Sequence, residues 1–138
     1  GKTYQGELTY YAPGLGACGI VSGPNDAIVS VSHILFDAAS TSGNPNANPL
    51  CGRKIRITRD KSSRAAARMI GRSSTTTMRG AGRRKDSVTM EKRASVEVTV
   101  VDRCEGCQAA DLDLSLSVFT QLAEESEGRV EGTWTWAS

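Results

Sequence analysis

The chain reads as a mainly β protein, a small β-barrel. Three features predict this. Many short stretches alternate apolar and polar side chains with period two, helical runs are few and brief, and turn-forming Gly, Pro, Asn and Ser punctuate the chain throughout. Its 138 residues suffice for one domain, residues 1–138, with a real core.

The first strand is expected at Glu7–Tyr11, with Leu8 and Tyr10 on one face and Thr9 and Tyr11 on the other. Pro13-Gly14-Leu15-Gly16 breaks it, and Cys18-Gly19 continue the loop. Ala27–Val31 is a short apolar strand, after which Ser32 suits the cap of a helical turn through His33, Leu35 and Phe36. Thr41–Pro49 is a loop rich in Asn, Pro and Gly. Leu50-Cys51-Gly52 then leads into a strand at Lys54–Thr58, with Ile55 and Ile57 facing inward.

The chain is organised around Ser95–Ser117. Val96, Val98 and Val100 alternate with Glu97 and Thr99, and the same alternation carries Asp102 onto the valine face at the strand's end. Cys104 and Cys107 bracket a turn containing Gly106. Leu112 and Leu114 alternate with Asp111 and Asp113, which sets Asp113 opposite the buried leucines. Ser115 suits the N-cap of a short helix lined by Leu116, Phe119, Leu122 and Ala123. Gly128–Trp136 forms the closing strand, with Trp134 and Trp136 on one side.

No run approaches the ~18 apolar residues of a membrane span. Gly1 runs almost at once into strand-like sequence, the look of a mature or trimmed chain. Four cysteines lie 33, 53 and 3 positions apart and read as two disulfides in an oxidising compartment. The favoured pairing is Cys18–Cys51 and Cys104–Cys107, because the second pair is already close in sequence. Zinc is the rival, although only one pair has ligand-like spacing.

Charge is unevenly spread. Residues 53–95 hold 14 of the 17 Lys and Arg and 3 of the 15 acids, a net +11 against −9 for the remainder. Between about 61 and 93 the pattern dissolves into Arg, Ser, Thr and Gly, too poor in apolar side chains to offset the entropy of ordering them. This reads as a long basic insertion between two barrel strands, with a helical turn or two over Ser63–Ile70. It is either a solvated loop or a binder of polyanions; without interleaved aromatics, nucleic acid is an unfavoured partner.

Four segments, LTYYAPGLGACG, NPLCGRKIRI, VTVVDRCEGC and DLDLSLSVF, occur in that order and closely resemble the loosenins, small secreted expansin-related proteins of fungi. They also resemble the wider RlpA-like and barwin-like domains. The resemblance covers about residues 5–60 and 94–136, and the basic insert departs from it. It implies a six-stranded double-psi β-barrel with one or two short helices and a polysaccharide groove across one face. In expansin-like barrels the groove carries a first-strand threonine and an aspartate in an Asp-Leu-Ser motif, here matched by Thr9 and Asp113. A further groove aspartate at the end of the long strand matches Asp102. The groove tyrosine of bacterial expansins, two residues beyond that aspartate, is replaced here by Cys104; Tyr11, on the same strand face as Thr9, is placed to compensate.

The same resemblance bears on catalysis. Related glycoside hydrolases use an acid at the position of Asp113 and a base just after the first strand, where this chain has Ala12-Pro13. A lone acid protonates or hydrogen-bonds a glycosidic oxygen but activates no water. Non-hydrolytic loosening of cell-wall polysaccharide, whether cellulose, chitin or peptidoglycan, is therefore favoured over glycoside hydrolysis, with RlpA-type lytic transglycosylation formally open. No cofactor or metal is called for, and a secreted monomer is expected. The bland alternatives are a helix-capping role for Asp113, an ion pair of Asp102 with Arg103 or Arg129, a structural His33, and a core role for Trp134 and Trp136 in place of sugar stacking. Other secreted proteins with this barrel inhibit papain-like cysteine proteases or act as plant-associated effectors; an inhibitor would work through loops such as Pro13–Gly19 or Asn44–Leu50.

Overall fold

The computed structural model describes residues 2–60 and 93–138. The basic insert, with its proposed helical turns at 63–70, lies outside them, Arg93 excepted. The elements are β1 (Tyr4–Tyr10), β2 (Ile28–Ser32), α1 (His33–Ala39), β3 (Lys54–Asp60), β4 (Arg93–Cys104), β5 (Leu112–Leu114), α2 (Leu116–Leu122) and β6 (Val130–Trp136). The six strands close a barrel in the order β1-β5-β2-β4-β3-β6. The pairs β1/β5 and β2/β4 are parallel, the others antiparallel.

Alternation explains the core. Leu8, Val29, Val31, Ile55, Ile57, Val98, Val100, Leu112 and Leu114 point inward and are all but inaccessible. Burial of such a side chain contributes about 1.5–3 kcal/mol over leaving it exposed. Val118, Phe119 and Leu122 of α2 join this cluster. Ser32 caps α1 as expected, its Oγ accepting from Ile34 N–H at 3.0 Å.

Some expectations shift. β1 begins at Tyr4, ahead of Glu7, because β6 pairs with it from Tyr4 onward, while Gly6 hides the alternation in the sequence; Gly6 lies so close to the approach to β5 that a Cβ there would meet the Ala110 carbonyl oxygen at 2.0 Å. Ser115 holds the N-cap position of α2, yet its hydroxyl makes no cap bond. It is buried under the 24–26 turn and donates to the Asp26 carbonyl at 2.6 Å. Trp134 is core: 1% exposed, stacked on Tyr4 at 4.5 Å, its Nε1–H donating to the Ala110 carbonyl. Trp136 is partly exposed under the Arg53 guanidinium, 4.1 Å from its ring centre.

Both disulfides form in the favoured pairing, Cys18–Cys51 and Cys104–Cys107. All four thiols are thereby spent, and the zinc alternative falls.

Candidate functional site

Strand register builds the site. Thr9 is paired with Asp113 across β1/β5, Asp113 with Ser30 across β5/β2, and Ser30 with Asp102 across β2/β4. Paired residues share a face of the sheet. Their neighbours Leu8, Val29, Leu112 and Leu114 face the core, so Thr9, Asp113, Ser30 and Asp102 form one row on the barrel's outer face.

Asp102 reaches this row by a route that simple alternation does not give. Period two places it with the valines, inside. In the structure Val29 pairs with Val100 but Ser30 pairs with Asp102, so Val101 is an extra residue, a bulge that turns Asp102 outward. Gly16 packs against the bulge; a Cβ there would sit 2.4 Å from the Val101 carbonyl oxygen. That close approach aims the Ala17 N–H at Asp102 Oδ1 (2.8 Å), which also accepts from the Arg103 N–H (2.8 Å).

The row floors a groove of about 380 Å³. Tyr11, just past β1, stands beside it with its hydroxyl 3.4 Å from Asp102 Oδ2. Cys104, at the place of the expansin tyrosine, is locked to Cys107 in the rim. Arg103 and Arg129 flank the groove, each held by acids. Arg103 forks onto Asp37 (2.7 and 2.8 Å) and reaches Glu105 (2.9 Å), while Arg129 pairs with Glu7. The guanidiniums that were the alternative ion-pair partners for Asp102 are therefore engaged elsewhere.

Asp113 Oδ1 accepts from the Thr9 hydroxyl at 2.8 Å, and no helix N–H is bonded to it. Partial burial pushes its pKa above the ordinary 3.8, and the Asp102 charge acts in the same sense, against the Thr9 hydrogen bond and the Arg129 charge. Burial and the two carboxylates also raise the Tyr11 phenol, which stays a neutral donor. Asp102 and Asp113 are two strands apart, both paired with Ser30, which at the usual strand spacing is roughly 10 Å. They are unequal: Asp102 has both oxygens committed to the backbone and Tyr11, while Asp113 is bonded through Oδ1 to the Thr9 hydroxyl and has its pKa raised by burial.

Thr9, Tyr11, Asp102 and Asp113 thus come together as the sequence predicts. His33 does not join them; its Nδ1 bonds the Cys104 carbonyl at 3.3 Å, a brace for the cysteine turn. Ser30, Arg103 and Asp111 border the groove without having been singled out for it. Ser30 is legible in hindsight as the polar break in Ile28-Val29-Ser30-Val31, and Arg103 and Asp111 carry no local signal. A larger hollow of about 610 Å³ lies beyond the Arg129–Glu7 pair, over β1, β6 and β3. It contains none of the predicted residues, so its size gives it no claim on the chemistry.

Closed six-stranded topology with two parallel pairs is that of a double-psi β-barrel. No family model matches the chain. It is 29% identical over 136 residues to the papain inhibitor of Streptomyces mobaraensis, covering 97% of this chain and 71% of that protein. It is 53% identical over 34 residues to allergen Asp f 7 of Aspergillus fumigatus, a match spanning only 13% of the allergen. Among solved structures, a Streptomyces papain inhibitor superposes with TM-score 0.68 and 23% identity, over 100% of this chain and 96% of that one. An Asp-to-Asn mutant of the Clavibacter michiganensis expansin in complex with cellohexaose gives TM-score 0.63 at 20% identity; the chain spans about half (51%) of it.

Proposed function

We propose that the groove binds cell-wall polysaccharide and loosens it without hydrolysis, in the manner of a secreted expansin-like, loosenin-like protein. The observation that carries this reading is the row Thr9–Asp113–Ser30–Asp102 with Tyr11 beside it: Ser30 is buried, and the partly exposed Thr9, Tyr11, Asp102 and Asp113 line the groove with hydroxyls and carboxyls suited to the hydroxyls of an extended glycan. The expansin that shares the fold is described in complex with cellohexaose, which supports a β-glucan as one ligand. Two disulfides suit an oxidising, extracellular setting. Asp113, retaining its proton to higher pH than an ordinary carboxylic acid, donates to a glycosidic oxygen or sugar hydroxyl. Asp102, with both oxygens engaged, acts as a fixed acceptor and not as the base that would activate water.

Retention on insoluble cellulose, chitin and peptidoglycan tests this. The wild-type chain should sediment with at least one of them, and Tyr11→Ala should weaken that binding about tenfold by removing one donor and one ring face. Absence of retention on all three would remove the reading.

A second reading has its own support. The papain inhibitors match nearly the whole chain, in sequence and in fold. On this reading the protein inhibits a papain-like cysteine protease through a loop, independently of Asp113. Inhibition of papain in a standard peptide-cleavage assay tests it.

A further inference from the structure

Among the described residues four large apolar side chains stand in solvent, and three share one loop: Leu15 (73% exposed), Ile20 (44%) and Val21 (76%). Leu15 and Val21 are partners in an antiparallel bridge, so their side chains emerge next to each other. Single exposed apolar residues need no explanation, but contiguous ones mark contact surfaces.

The loop that presents them is firmly fixed. Gly16 N–H donates to the Ile20 carbonyl (3.0 Å), Gly19 N–H to Gly16 (2.9 Å) and Ser22 N–H to Gly14 (2.9 Å). Cys18 bonds Cys51 and its N–H donates to the Val101 carbonyl (3.1 Å), while Ala17 N–H is held by Asp102. Gly19 adopts φ +82°, with its face against the Asn46 side chain, where a Cβ would meet Oδ1 at 2.8 Å. A tip fixed in this way loses little freedom on docking.

We infer that the Leu15–Val21 tip is the wedge that enters the substrate cleft of a papain-like cysteine protease. The inference rests on the inhibitor reading above and adds which part of the molecule makes the contact. Residues 13–22 carry no charged side chain and no aromatic ring, so the tip offers nothing to a polyanion and no ring face to a sugar. A convex aliphatic tip is complementary to a concave apolar subsite, which a peptide-binding cleft provides. The other loop considered for this role, 44–50, has no large exposed apolar side chain.

The test compares papain inhibition by wild type, the double variant Leu15→Asp/Val21→Asp, and Ile34→Asp, the fourth exposed apolar side chain, on α1. The double variant should lose about 100-fold or more in inhibition with an unchanged melting temperature, because both side chains are already in water. Ile34→Asp should inhibit like wild type. Equal inhibition by wild type and the double variant would overturn the wedge while leaving the inhibitor reading in place, and equal weakening by Ile34→Asp would reduce it to general stickiness. A wild type without any inhibition would overturn the inhibitor reading itself, and the wedge with it. Sedimentation of wild type as a dimer that Leu15→Asp/Val21→Asp dissociates would give the tip to self-association and overturn the proposal.

Discussion

The groove and the 13–22 loop meet at Asp102, yet they present opposite chemistry. The groove is a concave row of hydroxyls and carboxyls fixed by strand register, and the loop is a convex aliphatic tip fixed by a disulfide and turn hydrogen bonds. Alternation turns Thr9, Ser30 and Asp113 of the groove outward, and the bulge at Val101 brings Asp102 into line with them. The loop depends on the same bulge and one glycine. One small barrel thus presents two surfaces of opposite chemistry, and they share a structural joint, Gly16 on Val101–Asp102.

The largest effect is expected at that joint. Gly16→Val drives a side chain into the Val101 carbonyl and the Asp102 carboxylate. It should cost about 2–4 kcal/mol and weaken glycan retention and papain inhibition together. If only one of them suffers, the two regions are not coupled there. Next in size is the double variant Cys18→Ser/Cys51→Ser. Loss of this bridge should cost about 2–4 kcal/mol in denaturant unfolding. Inhibition should fall more than glycan binding, because the tip loses its anchor while the row keeps its register. An equal fall in both would show that the disulfide serves the barrel and not the loop.

How much of this was legible in the sequence depended on range. Thr9 and Asp113 could be assigned to an outward face because Leu8, Leu112 and Leu114 alternate around them, and the cysteine pairing followed from spacing. Asp102 was placed correctly in the groove by resemblance but on the wrong face by period, because a bulge adds a residue without changing composition. The only local hint is the run Val100-Val101, two apolar residues where alternation calls for one. The row itself depends on pairing between strands far apart in sequence, such as Thr9 with Asp113, which no local pattern encodes. Ser115 shows the converse: its type and position fit a cap, but burial gave its hydroxyl a nearer acceptor in Asp26.

The smallest effect on stability is expected from the basic segment. Asp60 and Arg93 are register partners at the ends of β3 and β4, so a short turn can join them. Replacing residues 62–92 with a Gly-Ser turn should shift unfolding by no more than about 1 kcal/mol, because closure entropy grows slowly with loop length. Loss of the cooperative transition would show that the barrel depends on it. The pH dependence of stability offers a finer probe of Asp113. With its folded pKa raised, its contribution is fully present below the unfolded value and is lost as pH rises through the folded one. Asp113→Asn should flatten the stability profile across that window, which begins near 3.8 and extends upward.

On the polysaccharide reading, Asp113 serves a glycan and not the fold. The most direct measurement is polysaccharide loosening by wild type and Asp113→Asn on one substrate, with released reducing ends counted in the same samples. The amide keeps an oxygen for the Thr9 hydroxyl, so folding should hold, but it can neither protonate nor form a charge-assisted bond to a sugar. Loosening by wild type should decline as pH rises past the raised pKa of Asp113, and should fall about tenfold or more in the variant, with few reducing ends from either protein. Abundant reducing ends from wild type, abolished by Asp113→Asn, would make the protein a glycosidase, and unaltered loosening by the variant would contradict the role given to Asp113.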